Sequence, residues 1–348
     1  MEIAPDVLNW LTDRSNPSVR YYTLRNLLGK PESSSEVREA RELIMREGVI
    51  PRTLSHQNEE GHFPSREIIE KYLKRPGPAR FWEKFLYGED VERFGYLPKY
   101  RATIWQLLLF AEIGADGSDT RIKKTCEYVL KTCYNNDGLF TIMGANILAP
   151  CFHGNMSYSL LKLGYTEDPR LKKALQILFD WQRFDDGDFK TPNEWPYRGN
   201  RDRCSRNHSC YAGCSKGLKA VTAYPKKKWD NRVKQYVERG SEYFLKHHIY
   251  KSSHSPEKLL RNRIDEITFP NFIYSDFLEI LDVLLELGVK DHRMNDAVEL
   301  LKSKQLDNGR WKLDNNVSNM YKKIEEKGKE SKWATYRALN ALKKLEEL

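Results

Sequence analysis

The sequence predicts an all-α chain: helical-hairpin repeats closed into an α/α toroid, a double ring of inner and outer helices. Three observations predict it. Apolar residues recur at helical spacing along most of the chain, an Asp-x-Arg-apolar start opens a second helix at Asp119, Asp168 and Asp291, and Gly-x-aromatic turns separate the hairpins. Six first helices face five second helices, so the last is left to pack beside an N-terminal helix starting near Val7, which favours a closed ring over an open solenoid.

The first copy runs from Val19 to Leu28, turns at Gly29, continues in a helix from about Ser35 to Glu47, and ends in a turn from Gln57 through Gly61 to Phe63. The second has a first helix from Ala102 to Ile113, Gly114, a second helix from Asp119 to Lys131, and Asp137-Gly-Leu-Phe140. The third places Asn155 to Leu163 before Gly164, then Asp168 to Trp181 and a turn from Gln182 through Gly187 to Phe189. In the fourth, Cys210 to Ala223 precedes Pro225 and a helix from about Asn231 to His247, without the Asp-Gly ending. The fifth runs from Tyr274 to Leu287, turns at Gly288, and continues from Asp291 to Lys304 and Gln305 through Gly309 to Trp311. A sixth first helix, Ser331 to Glu347, closes the chain. Each aspartate start suits an N-cap accepting from unpaired amides, Pro169 suits the first helical position, and the glycines suit left-handed C-terminal caps.

The 348 residues form one expected domain over positions 1–348, with insertions at about 65–99 and 312–330, the second a polar surface excursion. A hydrophobic fraction of 40% supports a large core, and the charged fraction of 31% supplies a solvated surface. The longest apolar stretch, Thr103 to Ala115, is interrupted by Gln106 and Glu112 and is too short to span a membrane; no signal-peptide pattern opens the chain, so the expected location is the cytoplasm. Six cysteines without secretory signs read as thiols or metal ligands rather than a disulfide framework. A net charge of +9 permits phosphate or nucleic-acid partners without establishing them, and Lys226-Lys227-Lys228 reads as a solvated face.

The turn carrying Gln305, Gly309 and Trp311, echoed at Gln57, Gly61 and Phe63 and at Gln182, Gly187 and Phe189, resembles the repeat signature of the terpenoid-cyclase and protein-prenyltransferase superfamily. That likeness covers the chain from about position 18 and implies a toroid whose cavity takes isoprenoid chains. His208-Ser-Cys-Tyr211 is similar to the His-Thr-Cys-Tyr stretch that supplies a zinc-binding histidine in protein prenyltransferase β subunits, enzymes that work with a partner subunit. Cys151-Phe-His153 stands where those enzymes carry an Asp-x-Cys pair, but Ala149 replaces the aspartate. The implied zinc set is therefore drawn from Cys151, His153, Cys204, His208 and Cys210, a donor mixture suited to tetrahedral zinc. The opposing reading makes the cysteines small packing residues and His208 a satisfied loop histidine.

If the ring closes, the starts of the first helices meet at one mouth. Asp276, Tyr274 and His208 become candidates for catalysis, while Lys99, Tyr100, Trp105, Asn155, Arg203, Tyr211 and Trp333 become candidates for substrate binding. Large rings at helical spacing also suit plain packing. The expected function is a prenyltransferase- or terpene-cyclase-like enzyme for an apolar, isoprenoid-class substrate, with zinc at its mouth. The alternative is a helical-repeat binding protein for nucleic acid or a protein, suggested by Asn16-Pro-Ser-Val-Arg20. Missing features narrow the chemistry: there is no Asp-x-Asp-Asp acid motif, no aspartate-rich magnesium helix, no phosphate-loop lysine motif and no dinucleotide fingerprint.

Overall fold

Alternating buried and amphipathic helices are what the paired apolar patterns require, and the computed structural model has them. It describes residues 2–63, 99–141, 148–187, 191–197 and 208–347. These are mostly helical: α1 (Pro5–Thr12), α2 (Pro17–Tyr22), a π-helical turn (Thr23–Leu27), α3 (Ser35–Arg46), α4 (Val49–Leu54), α5 (Thr103–Glu112), α6 (Thr120–Thr132), α7 (Pro150–Lys162), α8 (Pro169–Trp181) and α9 (Tyr211–Thr222). There follow α10 (Asn231–Lys246), β1 (Thr268–Phe269), α11 (Phe277–Glu286), α12 (Asn295–Ser303), β2 (Asn315–Asn316) and α13 (Lys332–Glu347). No helix among the described residues is long and apolar enough to cross a membrane.

The two helix types differ in burial as in sequence. On α5 every residue from Thr103 to Ala111 is buried, and on α9 every residue from Ala212 to Val221. Such helices have neighbours on all sides. The following helix α6 instead buries one stripe, Ile122, Thr125, Cys126, Val129 and Leu130, at the spacing of a single helical face.

The chain divides into two compact units. One comprises Ile50–Ala223 with Ser318–Lys322. Within it α7 packs along α9 and against α5, with α6 and α8 laid on their partners. Glycine permits the α7–α9 contact: a Cβ on Gly154 would lie 2.6 Å from the Lys216 carbonyl carbon and 2.7 Å from the Gly217 nitrogen.

The other unit comprises Met1–Val49, Tyr224–Val317 and Lys323–Leu348. Here the closing helix α13 packs on α11, α1, α2 and the π-helical turn. Asn26 donates to the Tyr336 hydroxyl at 2.6 Å, and Lys332 reaches Ser15 at 2.9 Å and Asp13 at 2.5 Å. The expected meeting of the last helix with the first is thus present within this unit.

The Asp-x-Arg starts do more than cap. Asp119, Asp168 and Asp291 each accept from the amide two residues on, and the arginine there grips the same carboxylate through Nε and Nη2. Arg170 then reaches Glu127 on α6, and Arg293 reaches Glu242 on α10, tying a hairpin to the second helix before it. Some boundaries differ from expectation. Helix α7 starts at Pro150 rather than Asn155, because proline is suited to a first turn, and α11 starts after the capping Asp276 rather than at Tyr274.

The 312–330 insertion is built into the fold rather than lying over it. Its β2 pairs in parallel with β1, and Glu325 accepts from the Lys332 amide at 2.8 Å and the Trp333 amide at 3.3 Å, capping α13. The sequence reading missed both, because neither partner is local. The 65–99 insertion falls outside the described residues except for its last residue, Lys99.

Candidate functional site

Each Gly-x-aromatic turn must dock on the next first helix, and one joint does this in three hairpins. The Phe63 amide donates to Thr103 Oγ1 at 2.9 Å, the Phe140 amide to His153 Nδ1 at 3.1 Å, and the Trp311 amide to Thr335 Oγ1 at 3.0 Å. His153 and Thr335 are each the fourth residue of their helix. The imidazole of His153 also donates from Nε2 to the Ala174 carbonyl at 2.8 Å. Both nitrogens are spent on backbone, the neutral tautomer is fixed, and burial pushes the pKa down to about 4. His153 is therefore a joint of the repeat and not the metal ligand that the family resemblance implied.

The remaining zinc candidates lie at the starts of α7 and α9. Cys151 is the second residue of α7 and Cys210 caps α9; both are half-buried, uncrosslinked thiols. These helix starts approach closely, since a Cβ on Gly213 would lie 2.5 Å from Pro150 Cβ and 3.5 Å from the Cys151 nitrogen. His208 is exposed, and its backbone bridges to Asp186. Cys204, like the substrate candidate Arg203, lies outside the described residues. No three His, Cys, Asp or Glu side chains among the described residues stand close enough to hold a metal ion. The described donors do not complete a zinc site.

The substrate candidates of this unit gather at the start of α5. Lys99 Nζ lies 5.0 Å over the Tyr100 ring, which meets Trp105 edge-on at 5.3 Å, and Gln106 Nε2 donates to the Tyr100 carbonyl at 2.9 Å. The segment 318–322 covers this start: Asn319 donates to the Lys99 carbonyl at 3.1 Å, and Arg101 stacks over Tyr321 at 5.6 Å. Asn155 is buried on α7, and Tyr211 opens α9 half-buried. Two buried polar atoms on the packed pair α5 and α7, Gln106 Oε1 and Ser157 Oγ, have no hydrogen-bond partner. Such atoms are rare in folded proteins and mark places where a small polar group can be taken up.

In the other unit, Tyr274 and Asp276 part company. Tyr274 is 49% exposed, with the Arg261 guanidinium 3.6 Å from its ring centroid, whereas Asp276 is 3% exposed. The Asp276 carboxylate caps α11 through the Glu279 amide at 2.7 Å and holds β1 through the Thr268 amide at 2.7 Å. Burial pushes its pKa up against the opposing pull of Arg337, 3.5 Å away. Its oxygens are engaged by backbone, so it positions β1 and α11. Trp333 stacks on Phe269 at 4.2 Å and flanks Tyr22 and Tyr336 at 6.0 and 6.3 Å, an aromatic wall beside the Asp276–Arg337 pair.

The sequence reading missed Gln106 and Ser157, whose polar type on apolar helices was the available signal, and it missed the buried Lys219. Lys219 pairs with Glu112 and lies 4.7 Å over the Tyr158 ring. No known family matches this chain, and no curated protein matches it either.

Proposed function

We propose that this chain is an enzyme of the terpenoid-cyclase and prenyltransferase kind, which binds an apolar, isoprenoid-class substrate against the starts of its first helices. The observation that carries this reading is the joint repeated at Phe63–Thr103, Phe140–His153 and Trp311–Thr335, the first and last of which end the Gln–Gly–aromatic turns that open at Gln57 and Gln305. Two features of the unit Ile50–Ala223 add to it. The aromatic pair Tyr100–Trp105 suits an apolar or cationic carbon skeleton, and unsatisfied polar atoms at Gln106 and Ser157 can orient a polar end. Closure of the repeats into a toroid and a partner subunit belong to the same proposal.

The test is thermal unfolding of the full chain with farnesyl diphosphate, geranylgeranyl diphosphate or squalene, and separately with duplex DNA at low and high salt. An isoprenoid at about a hundredfold excess over Kd should raise the Tm by about 3–4 °C. Trp105→Ala should reduce that rise. No rise with any isoprenoid, together with a salt-sensitive rise with DNA, would replace this reading by the helical-repeat binding protein.

A further inference from the structure

The second helices α6 and α10 are each tied to the hairpin that follows, so one joint can be read against the other. Arg170 reaches Glu127 on α6 and Arg293 reaches Glu242 on α10. This tie sets Ile122, Cys126 and Leu130 against Val237, Ser241 and Leu245, a row of buried residues four apart on each helix. The residue after the capping glycine is matched too. The Tyr165 amide donates to the Leu160 carbonyl at 2.9 Å, and the Val289 amide to the Leu284 carbonyl at 3.0 Å.

The matched residues differ in size. Tyr165 is half-buried, and its side chain reaches both the Cys126 thiol and the Glu127 carboxylate. Val289 has no such reach, and a groove with about 460 Å³ of free space opens between α10 and the segment 289–293. That is the size of a small-molecule site, about 300–1,000 Å³. Trp229, Val237, Leu245 and Val289 form its apolar lining, and Ser241 and Glu242 line it at the positions that Tyr165 meets on α6.

Ser241 supplies a second observation. It is 5% exposed, and its Oγ has no hydrogen-bond partner, although a helical serine can bond the carbonyl four residues back. A buried hydroxyl left open at the place where Cys126 meets a phenol calls for a polar partner.

We propose that this groove binds a phenol, a ligand that supplies the ring and hydroxyl Val289 lacks. The ring lies against Trp229, Val237 and Val289. Its hydroxyl donates to the Glu242 carboxylate and accepts from Ser241, two roles that a phenol combines in one atom. None of these residues lies at the start of a first helix, so the groove stands apart from the isoprenoid-class site.

The experiment titrates the isotope-labelled full chain with p-cresol, which is the tyrosine side chain as a free molecule, and follows the Trp229 indole signal by NMR. In parallel it uses p-methylanisole, in which a methyl group replaces the hydroxyl proton. p-Cresol should shift the Trp229 signal with a Kd on the order of 1 mM, and p-methylanisole should bind about tenfold more weakly. Ser241→Ala should weaken p-cresol by about fivefold, the worth of one hydrogen bond. Val289→Tyr, which restores the ring that α6 meets, should abolish the shift. A Trp229 signal unmoved by p-cresol at about ten times that concentration would overturn the proposal, as would equal binding of p-methylanisole. Undiminished binding in a folded Val289→Tyr chain would do the same. If that variant fails to fold, the comparison of the two ligands in the unaltered chain decides.

Discussion

A buried imidazole can be a ligand, a base or a joint, and at His153 the hydrogen bonds decide. Nδ1 must stay unprotonated to accept from Phe140, and a second proton would break that contact in a dry site. The folded pKa of about 4 lies below the ordinary value of about 6.5, so the unfolded chain binds the extra proton more readily between these values. The stabilisation is present above about pH 6.5 and is lost as pH falls toward about 4. Urea titrations across this window should show a loss of about 3 kcal/mol that His153→Thr removes, since Thr103 and Thr335 serve the same joint. A shallow slope in the unaltered chain would contradict the assignment. The sequence marked His153 as unusual but not why: a histidine beside cysteines reads the same whether its nitrogens face a metal or two peptide groups.

Helix starts and ends were legible because their causes are local. An aspartate accepts from amides two or three residues ahead, and glycine follows leucine or isoleucine where the chain needs a left-handed residue; Gly114, Gly164 and Gly288 have φ of 80, 93 and 85°. The ties from Arg170 to Glu127 and from Arg293 to Glu242 were not legible, because the partners lie far apart in the chain. The same divide separates two kinds of glycine. Gly154→Ala should cost about 2–3 kcal/mol in chemical denaturation, because its methyl would meet the Lys216 backbone, and backbone cannot swing aside. Gly164→Ala, with nothing within 4 Å of its Cβ, should cost only the left-handed penalty of about 1–2 kcal/mol. Equal losses would mean that α7 and α9 pack less closely than the structure has them.

For the chain as a whole, the expected return of the final helix to the start is realised through contacts such as Asn26–Tyr336 and Lys332–Asp13. The odd helix count made that visible in advance. The division into two units was not visible, because the hairpin pattern runs through both without a linker-like stretch to mark it. Removing residues 332–348 should abolish the near-UV circular dichroism of the unit that α13 completes, since α11, α1 and α2 lose a shared neighbour and Glu325 loses the helix it caps. A truncated chain with unaltered tertiary signal would show α13 to be an ornament.

The unit that α13 completes is also the one whose pieces are separated in the sequence, with the segment Met1–Val49 made before the Ile50–Ala223 portion and α13 made after it. A ribosome therefore releases the opening helices long before their partner exists, while the Ile50–Ala223 portion is available to fold during translation. The apolar faces that α1 and α2 turn toward α13 must wait, exposed to chaperones or to one another, until α13 has left the exit tunnel.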